Sequence, residues 1–301
     1  MSEGRAAGAI YDIGYQHYDG PRLGRANAIR TLIGYSLRGA FGSGRGQRAR
    51  IVPLIVISLV YAPVFIQVAV AGAASQPGLI NYAQQLQFAA LFIALFAASQ
   101  APELIVADRQ YGVLSLYLAR SLRSTDYALA KLTAFVGAML VLTLGPELAL
   151  FVAKLALSDS PWQAFRTEGK SLGPIIGGTT LAACYIASVG LVLASFSRRK
   201  AYASASVIAY FVIMPAMAGI ATLLTRGDAR RYTILGNPFQ VMTGFANWLF
   251  DVQLRRTLGG VPRRQLQIIE PLPGPVYLYV ILGTCAVCVV TLLVRYRKAE
   301  E

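Results

Sequence analysis

Charge is scarce in this sequence. Asp, Glu, Lys and Arg make up 14% of its 301 residues, against about 25% in soluble globular domains. That is too little to coat a water-soluble body of this size. Histidine is scarcer still: His17 is the single copy, which excludes His-based metal centres and triads. The three cysteines, Cys184, Cys285 and Cys288, sit inside long apolar runs. Cys285-x-x-Cys288 has redox or metal spacing, but no His, Asp or Lys stands near it, so all three read as small packing residues. Apolar residues dominate instead, at 55%, with a mean hydropathy of +0.53. That content excludes intrinsic disorder and points to a membrane protein.

Acids are half as frequent as bases, 14 against 28, for a net charge of +14. The bases flank apolar runs, where they mark topology, so no nucleic-acid partner is expected. A crossing helix needs about 20 apolar residues. Six stretches qualify, at about 51–74, 82–102, 128–153, 171–197, 201–225 and 274–294. The expected fold is an all-α membrane protein of six transmembrane helices. A 1–50 N-terminal segment precedes a 51–301 transmembrane domain. Eight Arg in the first 50 residues, Arg198-Arg199-Lys200 and the Arg295, Arg297 and Lys298 cluster place both termini in the cytoplasm by the positive-inside rule. Segment 226–273 then lies outside, although 226–270 carries seven Arg. Within it, 234–250 is apolar but too short to cross. It reads as a re-entrant or interfacial helix pair with Asn237 as N-cap and Pro238 at the first helical position. The first 50 residues lack signal-peptide order, so no cleaved leader is expected.

Residues 23–41 alternate with helical period, gathering Ile29, Leu32, Ile33, Leu37 and Ala40 on one face. This predicts an amphipathic helix lying in the membrane interface. Upstream, Asp12, His17 and Asp19 are too few and too flexible for a metal site.

The segment Glu103–Lys131 is the most informative. Asp108-Arg109 reads as a charged pair facing water, Gly112 as a turn, and Val113, Leu114, Leu116, Tyr117 and Leu118 as a short apolar helix that cannot span. Arg120 and Arg123 follow, and Ser124 or Thr125 is expected to cap the next crossing helix. A short apolar helix flanked by Arg on the cytoplasmic face reads as a docking element that needs a groove in another protein; the alternative is an interfacial helix resting on lipid.

These residues resemble the permease subunit of ABC-2 type exporters. In that family the stretch runs through an acid pair, Gly-Thr/Ser-Leu, two Leu, Ser/Ala-Arg-Pro, then a polar cap, an acid and Gly/Ala-Lys. The chain matches at Asp108-Arg109, Gly112, Leu114, Leu118, Ala119-Arg120, Leu122, Asp126-Tyr127 and Ala130-Lys131, and departs at Val113 and Ser121. The N-terminal YDIGYQHYDGPRLGR also looks like a lead-in of actinobacterial permeases of this type. The resemblance implies an interfacial elbow helix, a cytoplasmic coupling helix between spans 2 and 3, and short external helices between spans 5 and 6. It implies a bacterial plasma membrane location, a second permease chain (a homodimer by default) and two copies of a cytoplasmic ATPase. Asp108, Arg109, Gly112, Leu114, Leu118, Arg120 and Arg123 would then couple to that ATPase.

The chain carries no ATP site of its own. The nearest approach to a P-loop is Gly169-Lys170-Ser171, with Ala164 where Gly is needed and no preceding strand. It is therefore read as no enzyme by itself and without cofactors, the ATP and Mg being held by the partner. Glu147, behind Pro146, is the one acid well inside a span and a candidate intramembrane polar site. The bland expectation is a buried acid satisfied by Tyr, Ser or Thr of neighbouring helices. Lys154, two turns on, is expected to snorkel to the outer surface. A secondary transporter or channel is the alternative reading. It calls for repeats or several intramembrane acids, and the sequence offers one acid. A membrane-embedded enzyme would need a catalytic cluster, and none is visible.

Overall fold

In the computed structural model, residues 24–44, 46–74, 82–113, 117, 122–158, 160–250 and 272–297 are described. The aromatic lead-in at 11–23, Leu114, Leu118, Arg120 and the Arg255-Arg256 and Arg263-Arg264 pairs lie outside them. The described residues form helices and no strand: α1 (Arg25–Ala40), α2 (Arg48–Ala74), α3 (Tyr82–Gln110), α4 (Ser124–Ala156), α5 (Pro161–Glu168), α6 (Leu172–Phe196), α7 (Lys200–Leu224), α8 (Ala229–Thr233), α9 (Pro238–Leu249) and α10 (Gly274–Arg297). Among the described residues, six segments are long and apolar enough to cross a membrane: α2, α3, α4, α5 running into α6, α7 and α10. The chain has the build of a multi-pass membrane protein. An even number of crossings puts the start of α1 and the end of α10 at one end of the bundle, called the terminal end below.

The bundle has an inner and an outer set of crossings. In α3, 72% of the most apolar stretch is buried, against 17% in α7 and in α10. The inner set is lined with small residues. Ala89, Ala90, Ala94, Ala97, Ala98 and Ala101 of α3 are all buried, and Gly190 of α6 faces Ala97, Ala101 and Phe135. In lipid there is no hydrophobic drive between helices, so close backbone approach and dispersion hold them. The outer faces, such as Val212, Met217, Ile220 and Leu223 of α7, are exposed and suit lipid tails. Prolines at 53, 63, 102, 146 and 215 lie within helices that continue past them.

Helix α1 packs along α4. Arg25 pairs with Asp126 at 2.7 Å, and twelve residues later Leu37 covers Gly137. The two helices therefore advance side by side. The apolar face read from the sequence is taken up by α4 and α3, with Leu32, Ser36 and Ala40 buried. The turn into α2 depends on Gly42, whose φ is +74° and whose Cβ, if present, would sit 2.6 Å from the Ala49 carbonyl oxygen. Gly42→Ala combines a left-handed backbone with a clash against main chain, which cannot swing away. It should cost about 2 kcal/mol, read as a lower thermal unfolding midpoint in neutral detergent micelles. An unchanged midpoint would mean the turn tolerates an L residue.

At the opposite end, α5 leads into the crossing helix α6. Pro161 starts a helix that runs through a 3-10 turn, Gly169–Ser171, into α6. The stretch 234–250 is a 3-10 turn, Ile234–Gly236, followed by one helix, α9, rather than a helix pair. Asn237 caps α9, its side-chain oxygen accepting from the Phe239 and Gln240 amides at 3.0 and 3.2 Å, with Pro238 next. Helix α9 lies against α10, α3, α6 and α7.

Candidate functional site

Two polar clusters interrupt the apolar bundle, one at each end. The larger joins α3, α4, α6 and α10 at the terminal end. Helix α3 outlasts its apolar stretch: 29 residues span about 43 Å, beyond a hydrocarbon core of about 30 Å. Its last turn carries Asp108 and Arg109, and Gly112, at φ +66°, lies just past its end.

Asp108 and Arg109 do not face water as a free pair; both turn inward. The Asp108 carboxylate meets Lys131 Nζ at 2.8 Å, with the side chains 15% and 3% exposed. The same carboxylate accepts from the Tyr127 hydroxyl at 2.7 Å. Tyr127 and Lys131 are one turn apart on α4, so one face of that helix presents both partners. The Tyr127 ring lies 5.3 Å from that of Tyr296 on α10 and 5.9 Å from that of Tyr117. Burial, with the Asp108 carboxylate behind it, raises the pKa of Tyr117 and keeps its hydroxyl neutral.

Arg109 sits over the Tyr296 ring, 5.0 Å from its centre. Its Nη1 donates to the Ser195 carbonyl at 2.7 Å, and Arg295 Nε donates to the same oxygen at 2.9 Å. That carbonyl belongs to the last turn of α6, where carbonyls lack helical donors and the helix dipole favours cations. Gln110 donates to the Arg198 carbonyl at 3.1 Å. Lys200, at the start of α7, pairs with Glu103 at 2.9 Å and sits over the Tyr111 ring. Five helices are thus tied at one end by named polar contacts.

Helix α4 is not capped by Ser124 or Thr125. Both are helical, and the Asp126 carboxylate accepts from the Arg123 amide at 3.1 Å while also holding Arg25. An acid in the first turn does what a hydroxyl cap would have done, and it adds charge of the favourable sign. Of the residues singled out from the sequence, Asp108, Arg109, Gly112 and Arg123 thus stand within or beside this cluster. Leu114, Leu118 and Arg120 lie outside the described residues. The sequence reading gave Tyr127 and Lys131 only as matches to a family motif, without a partner for either, and did not single out Tyr296 or the Ser195 carbonyl. The spacing of Tyr127 and Lys131 was the available signal, since i and i+4 on a helix share a face.

The second cluster lies at the opposite end. Tyr82 donates to Glu168 at 2.8 Å, and Lys154 sits 3.6 Å from the same carboxylate and 3.9 Å from the centre of the Tyr82 ring. Lys154 therefore does not snorkel outward; it is held between α3 and α5. Glu147 is 1% exposed, and its Oε2 has no hydrogen-bond partner among the described residues. Among the described residues no Tyr, Ser or Thr bonds that oxygen. Tyr61 instead donates to the Val141 carbonyl at 2.8 Å, one residue before the Leu142 carbonyl that Pro146 leaves without its usual donor.

The cysteines are free and half-buried, with Ser188 donating to Cys285 Sγ at 3.7 Å. Among the described residues no group of three His, Cys, Asp or Glu is placed to hold a metal. No family model matches the chain, and no curated protein matches it.

Proposed function

We propose that this chain is the permease subunit of an ATP-driven exporter of the ABC-2 type. In this reading it forms the substrate path with a second copy of itself and is driven by two cytoplasmic ATPase subunits that hold the ATP and Mg. It sits in a bacterial plasma membrane with both termini in the cytoplasm, as the distribution of Arg and Lys favours. The observation that carries the proposal is how residues 103–131 are anchored. Helix α3 leaves the apolar stretch with Glu103, Asp108 and Arg109 tied to α7, α4 and α6. The apolar residues 113–118, flanked by Arg120 and Arg123, follow directly. A partner gripping that segment would push on anchored crossings rather than on a loose loop. The sequence resemblance at Gly112, Leu114, Leu118, Arg120 and Lys131 supports the same assignment.

The test is co-purification. The chain is co-expressed with a candidate ATP-binding-cassette protein from the same genome, and captured ATPase is measured. Leu114→Asp combined with Leu118→Asp should cut capture about tenfold or more, the loss expected when apolar anchors leave a groove. Undiminished capture by that variant sinks the docking role. One observation favours a second reading, a secondary carrier coupled to protons: the orphaned carboxyl of Glu147. Transport driven by a proton gradient in vesicles without ATP would select it over the first.

A further inference from the structure

A groove of about 850 Å³ opens at the terminal end, where α3, α6 and α10 meet. Three guanidiniums line it, those of Arg109, Arg198 and Arg295, and its walls are otherwise made largely by Phe196, Val290 and Val294. Among the described residues no carboxylate lines it. The described acids of this end are committed elsewhere: Glu103 to Lys200, Asp108 to Lys131 and Asp126 to Arg25. Arg109 and Arg295 are also held close together, because both donate to the Ser195 carbonyl, at 2.7 and 2.9 Å. A carbonyl oxygen carries only a partial charge, so the pair keeps an uncompensated positive field. Neither side chain is a loose surface cation. One is seated on the Tyr296 ring and the other lies 4.5 Å from the centre of the Phe196 ring.

The apolar part of the groove runs on along the bundle. Val287, Val290 and Val294 fall at i, i+3 and i+7 on α10, on one stripe, and all three are exposed. The stripe leads from the guanidiniums towards the middle of a crossing helix. A cationic mouth opening onto an apolar track is complementary to a molecule with an anionic head and a hydrocarbon tail.

We infer that this groove binds an anionic phospholipid, with the headgroup phosphate on Arg109, Arg198 and Arg295 and an acyl chain along Val287, Val290 and Val294. Inorganic phosphate shares the headgroup chemistry but would leave most of the volume and the whole valine stripe unused. Anionic headgroups gather basic residues at the membrane surface, and here two of the three, Arg109 and Arg295, are fixed in advance, which lowers the cost of ordering them on binding. The inference needs no ATPase and stands or falls separately from the coupling role of 113–118.

The test uses the full chain in neutral detergent micelles, with bound lipid counted by native mass spectrometry. Phosphatidylglycerol should be retained over phosphatidylcholine. Arg198→Gln with Arg295→Gln should lower phosphatidylglycerol affinity about thirtyfold, as expected for two lost cations at a lipid headgroup. Val290→Trp keeps all three guanidiniums and fills the track from a lipid-facing position that folding does not depend on. It should also abolish the preference. Equal retention of the two lipids, or unchanged phosphatidylglycerol binding by both variants, overturns the inference. Displacement of the lipid by millimolar inorganic phosphate also overturns it, assigning the guanidiniums to a free anion.

Discussion

Lys131→Met should leave little folded protein. The substitution keeps the length and apolar stem of the side chain but removes the cation that faces Asp108 at 2.8 Å. The carboxylate stays behind, buried beside the Tyr127 ring, with one hydroxyl donor and no counter-charge. Breaking a buried pair from one side costs about 3–5 kcal/mol, a large part of a typical native stability of about 5–15 kcal/mol. Asp108→Asn combined with Lys131→Met removes both charges, lets the amide keep accepting from Tyr127, and should restore most of the loss. By contrast, Arg25 and Asp126 pair at 2.7 Å with the Arg side chain 43% exposed, so solvent screens the pair and breaking it should matter far less. Yield of monodisperse protein and resistance to denaturing detergent would read the series. A single variant as robust as the parent would show that the pair does not hold α3 to α4.

Gly244→Val is the second large effect. Gly244 lies on α9 against α10, and a Cβ there would come within 2.5 to 2.8 Å of three Tyr277 ring atoms. Tyr277 is itself buried, and its hydroxyl accepts from the Leu272 amide at 3.2 Å. The ring therefore has no free direction in which to move. Removing a helical glycine gains about 1 kcal/mol of helix propensity at most, while overpacking a closed contact costs about 1–3 kcal/mol, and the β-branched side chain adds atoms beyond the first clash. The net should be a destabilisation of about 2 kcal/mol or more, with α9 pushed off α10. Accelerated proteolysis in the region that follows α9 would report it. Protection equal to that of the parent would mean that α9 and α10 separate freely already.

The crossings were legible because their signal is long and redundant: twenty apolar residues between charges leave few alternatives. Caps made of one residue were legible where the chemistry is local, as at Asn237-Pro238. What the sequence did not disclose depends on contacts between distant segments. Asp108-Arg109 reads as a water-facing pair until Lys131, Tyr296 and the Ser195 carbonyl are brought beside it. Lys154 reads as a snorkelling cation until α5 delivers Glu168. The apolar face of α1 was legible, but not that α4 and α3 cover it, because amphipathicity reports that one side is apolar and not what lies against it. Glu147 was legible as an intramembrane acid, but its missing partner is visible only in three dimensions.

The Ser195 carbonyl has a mechanical consequence. Two cations from different helices share one oxygen, so the last turn of α3 and the end of α10 are pinned to the same point of α6. A displacement of either helix would strain the bond that holds it there and, through the shared acceptor and the Arg109–Tyr296 contact, bear on the other.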